Sequence, residues 1–193
     1  KRTYGPIYDD WLKVLKYKML YPHTKFSWCI YVTSKYEGTG KGLSYQLTRT
    51  LFGPLNCLDV KMDSFSEWFN ASWTRCTFAL VDEAHGQLTR QGRNLVMNNL
   101  KRVITEDTMT IEQKGSEKTV GVESFFFLYV FSNDRTSLDM TADSRRFLVY
   151  HDEQAITSQD QKYMERLAPM LQEINMVAVI RQHILDNVDI TNF

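Results

Sequence analysis

Apolar and polar positions alternate along this chain in two periods, and the switches between them mark out the elements. Residues 8–20 repeat apolar side chains at Tyr8, Trp11, Leu12, Leu15 and Met19, the stripe of an amphipathic helix, with Asp9 and Asp10 well placed for its first turn. Lys13, Lys16 and Lys18 fall largely off that stripe, where a solvated face is the plainer expectation and a nucleic-acid contact the sharper one. Phe26 to Thr33 is rich in aromatic and β-branched residues and predicts a buried strand; Leu43 to Phe52 predicts a helix. A short strand is expected over Asn56–Lys61, a helical turn over Phe65–Trp73, a third strand over Thr77–Val81, and a helix over 88–104 weakened by Gly92. Residues 108–112 and 118–122 alternate in period two about Lys114-Gly115-Ser116, which predicts a β-hairpin. Ser124 to Phe131 is apolar on both faces, as a central strand of a covered sheet must be. After the polar loop 134–143, Phe147–His151 reads as a last strand, and the tail is helical, with Pro169 placed to open a second helix.

Strands alternating with helices predict an α/β fold: a central, mostly parallel five-stranded sheet flanked by helices, with an inserted β-hairpin and helical N- and C-terminal segments. No repeat or linker divides the chain. One domain is therefore expected over 1–193, with a helical segment at 1–24, a core at 25–152 and terminal helices at 153–193.

Composition narrows the classes. The chain has 193 residues, 43% hydrophobic, 13% aromatic and 24% charged, the make-up of a globular domain with a sizeable core. A net charge of +0 removes any global attraction to nucleic acid, so such a contact needs a local patch. No apolar run approaches the roughly 18 to 20 residues of a membrane span, and no membrane partner is expected. Cys29, Cys57 and Cys76 lack CxxC spacing, which predicts reduced structural thiols. The chain starts at Lys1 and not Met, and a piece of a longer protein is expected.

Candidate chemistry gathers where strands end. The strand from Phe26 runs into Glu37-Gly38-Thr39-Gly40-Lys41-Gly42, and a helix follows from Leu43. A strand, a glycine turn with lysine and a helix is the geometry that holds a nucleotide's phosphates: backbone N–H groups approach the oxygens and the lysine reaches the outer phosphates. Two positions depart from the pattern. Lys35 stands where its first glycine belongs, and Gly42 stands where a Ser or Thr hydroxyl would meet Mg²⁺. Thr77–Val81 ends in Asp82-Glu83, which suits ATP hydrolysis beside such a loop: Asp82 for the metal, Glu83 to polarise the attacking water. Asn133 ends another apolar strand and is placed to orient that water or meet the terminal phosphate. Arg145 and Arg146 are adjacent arginines suited to a neighbouring subunit's nucleotide. His85 completes an Asp-Glu-Ala-His string, but a helicase of that type needs two tandem ATPase domains, and this chain has room for one.

The order of motifs resembles superfamily III helicases, AAA+ type ATPases of viruses, phages and mobile elements, and more narrowly the helicase portion of phage and plasmid primase–helicase or primase–polymerase proteins. The residues that carry the likeness are Glu37–Gly42, Phe78–Glu83, Leu100–Gly115, Phe125–Asn133 and Ser144–Phe147. The resemblance implies ATP and Mg²⁺ as cofactors, with Gly38, Thr39, Gly40, Lys41, Gly42 and Leu43 on the nucleotide and Asp82 on the metal. It implies Glu83 as general base, Asn133 as sensor, and Arg146 ahead of Arg145 as the finger arginine. It further implies a hairpin carrying Lys114 at its tip, with Lys118 beyond, onto single-stranded DNA in the channel of a hexameric homo-oligomer. A covalently linked primase or polymerase and a place in the bacterial cytoplasm are implied in the same way. The expected activity is ATP-driven translocation along single-stranded DNA; the alternative is a nucleic-acid-binding or assembly module with a degenerate ATP site.

Overall fold

The computed structural model describes residues 3–61, 73, 75–82, 90–111, 119–135, 138 and 144–193. In chain order the elements are α1 (Tyr8–Leu20), β1 (Cys29–Ser34), α2 (Lys41–Phe52), β2 (Cys57–Val60), β3 (Phe78–Val81), α3 (Arg90–Thr105), β4 (Thr108–Ile111), β5 (Thr119–Glu123), β6 (Phe127–Ser132), β7 (Phe147–Asp152), α4 (Ser158–Met170) and α5 (Ile174–Asn187). Five strands form one sheet in the order β2-β3-β6-β1-β7, and every pairing in it is parallel. β4 and β5 pair antiparallel as a separate hairpin. The fold is α/β and P-loop NTPase-like, as the strand and helix pattern predicts.

Strict alternation in the central strands divides the core into two layers. Phe127, Tyr129 and Phe131 of β6, with Ile30 and Val32 of β1, face Trp11, Val14 and Leu15 of α1 and Tyr45 and Leu51 of α2. Leu128 and Val130, with Tyr31, face the opposite layer, where Val96, Met97, Leu100 and Ile104 of α3 cover the sheet. All three cysteines are buried and unpaired.

Four expectations need correction. β1 starts at Cys29 and not at Phe26, because its ladder with β7 begins at Cys29↔Phe147. Phe26 and Trp28 pack their rings edge-on against Phe127 at 5.3 and 5.2 Å instead. β6 likewise starts at Phe127, where the chain first meets β3. Pro169 lies in the last turn of α4, where its missing N–H forgoes the bond to the carbonyl four residues back and helps to end the helix, and the second helix opens five positions later at Ile174. Of the α1 lysines, Lys13 keeps partial exposure beside Asp10, but Lys16 and Lys18 do not form a solvated face. Lys18 is 1% exposed and donates to the carbonyls of Pro22, Thr24 and Phe125. Lys16 donates to Leu185 O at 2.5 Å and Val188 O at 2.7 Å, the carbonyl end of α5, where a cation is favoured. The helical turn expected before Trp73 lies outside the described residues.

The strand order positions the site. β6 is inserted between β1, which leads into the glycine turn, and β3, which leads into Asp82. The residue that follows β6, Asn133, therefore stands between the two. Ligands on open parallel sheets bind outside the carboxyl ends of the strands.

Candidate active site

Register places the rim residues in a row. Ser34 at the end of β1 pairs with Asp152 at the end of β7, and Thr33 pairs with Ser132 of β6. Asn133, Ser34 and Asp152 thus follow one another across three neighbouring strands. Lys41 opens α2 and turns back over this row. Its Nζ donates to Asn133 Oδ1 at 2.8 Å, to Ser34 Oγ, and at 3.5 Å to Thr39 Oγ1. Ser34 Oγ donates to the same Asn133 oxygen at 3.3 Å. Three acceptors answer the three N–H bonds of the ammonium.

Lys41 is 9% exposed, and burial pushes its pKa down; the nearby charges of Asp82, Asp152 and Glu37 act in the other direction. Asp82 is exposed at the end of β3 and lies within electrostatic reach of Lys41. Asp152 is buried; its Oδ1 accepts from Gln154 N at 3.0 Å, and among the described residues no donor reaches Oδ2.

The turn itself is built on glycine. Gly38 and Gly40 have φ of 72° and 89°, a region L-residues with side chains rarely enter. At Gly40 space also decides: a Cβ would stand 3.0 Å from Thr3 Oγ1 and 3.3 Å from Met164 Cε. The N-terminal segment and α4 thus press on the turn from outside. Thr3 Oγ1 donates to Thr39 O at 3.1 Å, and the Tyr4 and Ser44 hydroxyls share a 3.0 Å hydrogen bond. α2 has no side-chain cap and no acidic residue in its first turn, which leaves its positive end and its unpaired N–H groups facing the rim.

Around Gly42 the space is open, so a side chain fits there sterically. Ser44 cannot supply the missing hydroxyl in its present setting, since its Oγ donates to Lys41 O at 2.6 Å and meets Tyr4. Leu43 and Leu47 line an apolar pocket of about 350 Å³ together with Tyr8, Tyr163, Met164 and Leu167. These residues fit a nucleotide's phosphates over the glycine turn and its base in the pocket. For a metal the donor set among the described residues is thinner: Asp82 at the strand end, with no hydroxyl at position 42. Among the described residues, no group of three or more His, Cys, Asp and Glu side chains could hold a metal ion.

Arg145 and Arg146 stand elsewhere. They precede β7, and Arg146 O accepts from Cys29 N at 2.8 Å, which sets them at the amino rim of the sheet. At about 3.3 Å per residue, Arg146 is about 20 Å along the strand from Asp152. Arg145 is exposed; Arg146 is half-buried, and its Nε meets no hydrogen-bond partner among the described residues. Glu83, Lys114 and Lys118, with His85, lie outside the described residues.

Ser34 and Asp152 join the site without having been singled out in the sequence. A serine closing an apolar strand just before a glycine turn is a readable signal. Asp152 carries none, since only the β1–β7 pairing brings it in.

With this geometry in place, similarity to known proteins sharpens the picture. A model of a family of unknown function, DUF5906, matches residues 32–146. The chain belongs to this family. A DNA primase-polymerase of Nitratiruptor phage NrS-1 is 32% identical over 116 residues, which cover 58% of this chain and 16% of that protein. The apo structure of the NrS-1 C-terminal region superposes with a TM-score of 0.67 at 19% identity, over 97% of this chain and 50% of that one. A second apo form of that region gives 0.61 at 18%, over 93% and 46%. The chain thus spans about half of the solved region and 16% of the phage protein. The similarity to the solved structures establishes a common fold, and the phage DNA primase-polymerase is similar to this chain in sequence over part of its length. No helix among the described residues is long and apolar enough to cross a membrane.

Proposed function

We propose that this chain is the ATPase module of a replication protein of a phage or mobile element, of the superfamily III type. In this reading it hydrolyses ATP between the subunits of a hexameric ring and moves along single-stranded DNA in the host cytoplasm, with a primase or polymerase region in the same polypeptide. The observation that carries the reading is Lys41 Nζ on Asn133 Oδ1 at 2.8 Å, behind a glycine turn and beside Asp82.

The residues divide the work by position. Gly38, Thr39, Gly40 and Gly42 leave backbone N–H groups free to approach phosphate oxygens, and Lys41 exchanges Asn133 and Ser34 for those oxygens. Asn133, released on one side, holds the attacking water or the terminal phosphate. Asp82, with water, would hold a Mg²⁺ ion, which would supply charge neutralisation at the phosphates. Glu83 polarises the water. Arg146, far along β7 from its own subunit's rim, serves the neighbour's nucleotide, with Arg145 as second candidate. An arginine so supplied is worth about 10³ to 10⁵ in rate. Lys114 and Lys118 of the hairpin meet the DNA backbone as point charges.

The test is ATP hydrolysis with and without single-stranded DNA, for the wild type and Glu83→Gln. Stimulation by DNA, abolished in the variant, is the expected result. No stimulation together with wild-type behaviour of Glu83→Gln removes the motor reading.

One observation favours a second reading, an assembly or nucleic-acid-binding module with a weakened ATP site. Position 42 lacks its hydroxyl, and Ser44 is engaged with Tyr4 and Lys41 O. Open space at Gly42 makes Gly42→Thr a direct discriminator. A gain in Mg²⁺-dependent ATP binding favours the weakened site; tight binding by the unaltered protein excludes it.

A further inference from the structure

The pocket beside Leu43 bears on which nucleotides the site accepts, and the inference rests on the nucleotide-binding reading above. At about 350 Å³ it is near the small end of ligand pockets, with room for one base and little more. Its walls come from the N-terminal segment, α2 and α4, and it opens against Gly40 and Ser44, where the glycine turn enters the helix. Among the described residues its lining includes no Asn, Gln or Arg, the side chains that read base edges in pairs of hydrogen bonds.

Most of the polar side chains that border the pocket are already engaged; the Trp11 indole N–H, which meets no partner among the described residues, is buried and is a single donor. Thr3 Oγ1 donates to Thr39 O, Tyr4 OH bonds with Ser44 Oγ, and Ser44 Oγ donates to Lys41 O. Asp160 Oδ2 closes the cap of its own helix, accepting from Thr157 N at 2.9 Å and Thr157 Oγ1 at 2.7 Å. Tyr8 and Tyr163 carry hydroxyls that rotate and both donate and accept, so neither prefers the edge of adenine over that of guanine. What remains is apolar and aromatic area, which rewards ring size and stacking in any base.

We propose that this pocket takes the base of the bound nucleoside triphosphate and selects by ring size alone, accepting adenine and guanine alike over pyrimidines. An apolar pocket separates close analogues by about 10- to 200-fold, whereas a site hydrogen-bonded to the base edge separates them by about 10⁴ or more.

The experiment displaces a ribose-labelled fluorescent ATP from the full chain with ATP, GTP, CTP, UTP and inorganic tripolyphosphate, in Mg²⁺. It is repeated in Tyr163→Ala, whose ring is 65% exposed and whose loss spares the core, and in the pocket-filling Leu167→Trp. Expected are dissociation constants for ATP and GTP within about tenfold, weaker binding of CTP and UTP, and tripolyphosphate weakest. Both variants should weaken all four nucleotides and leave tripolyphosphate unchanged. A preference for ATP over GTP of more than about 100-fold overturns the selectivity. Nucleotides no tighter than tripolyphosphate, or unmoved by both substitutions, overturn the base pocket while leaving the phosphate site standing. If neither nucleotide nor tripolyphosphate displaces the label, the nucleotide-binding reading falls and this inference with it.

Discussion

Lys18 and Lys41 stand at opposite rims of the same sheet, 1% and 9% exposed, and each turns its ammonium toward three oxygens. The oxygens differ in kind. Those around Lys18 are backbone carbonyls of Pro22, Thr24 and Phe125, fixed by the path of the chain into β1 and β6. Those around Lys41 belong to the side chains of Ser34, Thr39 and Asn133, which can rotate away. Their electrostatic settings differ too. Burial, with the charge of Lys25 beside it, pushes Lys18 down to about 7, while burial of Lys41 is opposed by Asp82, Asp152 and Glu37. A buried cation held by immovable carbonyls ties elements together. One held by rotatable side chains among carboxylates is ready to trade partners. Burial and hydrogen bonding alone do not separate the two; the mobility of the partners does.

The largest expected effect attacks the amino rim. Lys18→Met leaves three carbonyls without their donor, and at about 1–3 kcal/mol for each unsatisfied group the loss is at least about 3 kcal/mol. That lowers the melting temperature by about 6–12 °C for a chain of this size, measured by thermal denaturation. Nucleotide affinity at the far rim should not move at temperatures where the variant is folded. Lys41→Ala is the mirror experiment: affinity for ATP falls by about 100-fold, and the melting temperature holds or rises because a buried charge is gone. Equal stability losses in the two variants would erase the distinction.

A pH series sharpens it. Lys18 and Lys25 have folded pKa values of about 7 and about 8, below their ordinary 10.5. Between those values the unfolded chain binds the proton more readily, so stability climbs with pH from about 7 toward 10.5 and is flat below, where both states are protonated. Urea unfolding at about pH 7 and about pH 9 should show this rise in the wild type and a smaller one in Lys18→Met. Identical slopes would mean that the carbonyls keep Lys18 charged throughout.

The smallest effect comes from a cation in water. Arg102 pairs with Glu106 one helical turn on, at 3.0 Å, with both side chains about half exposed or more. Arg102→Ala should cost no more than about 0.5 kcal/mol in chemical denaturation, since exposed pairs lose to solvent and salt what they gain by contact.

Legibility in the sequence followed the range of the interactions. The glycine turn at 38–42, the aromatic run of β6 and the paired strands Thr108–Ile111 and Thr119–Glu123 announce themselves through neighbouring residues, and the structure describes each near its expected place. Strands start later than the apolar pattern where an apolar run outlasts its partner strand, as at Phe26 and Ser124. The burial of Lys18 is not legible, because its spacing on the helix says nothing about the loop that folds over it. Asp152 was invisible, being one carboxylate among several in a polar stretch.

Residue order by itself therefore determined the elements, their alternation and the glycine turn with Lys41, because period and φ preference act within a few residues. Tertiary structure decided the order β2-β3-β6-β1-β7, which sets Asn133 between Lys41 and Asp82, brings Ser34 and Asp152 into the row, and carries Arg146 to the opposite rim. Strand order and register answer to burial on two faces and to hydrogen bonding between distant segments, and no local pattern encodes them.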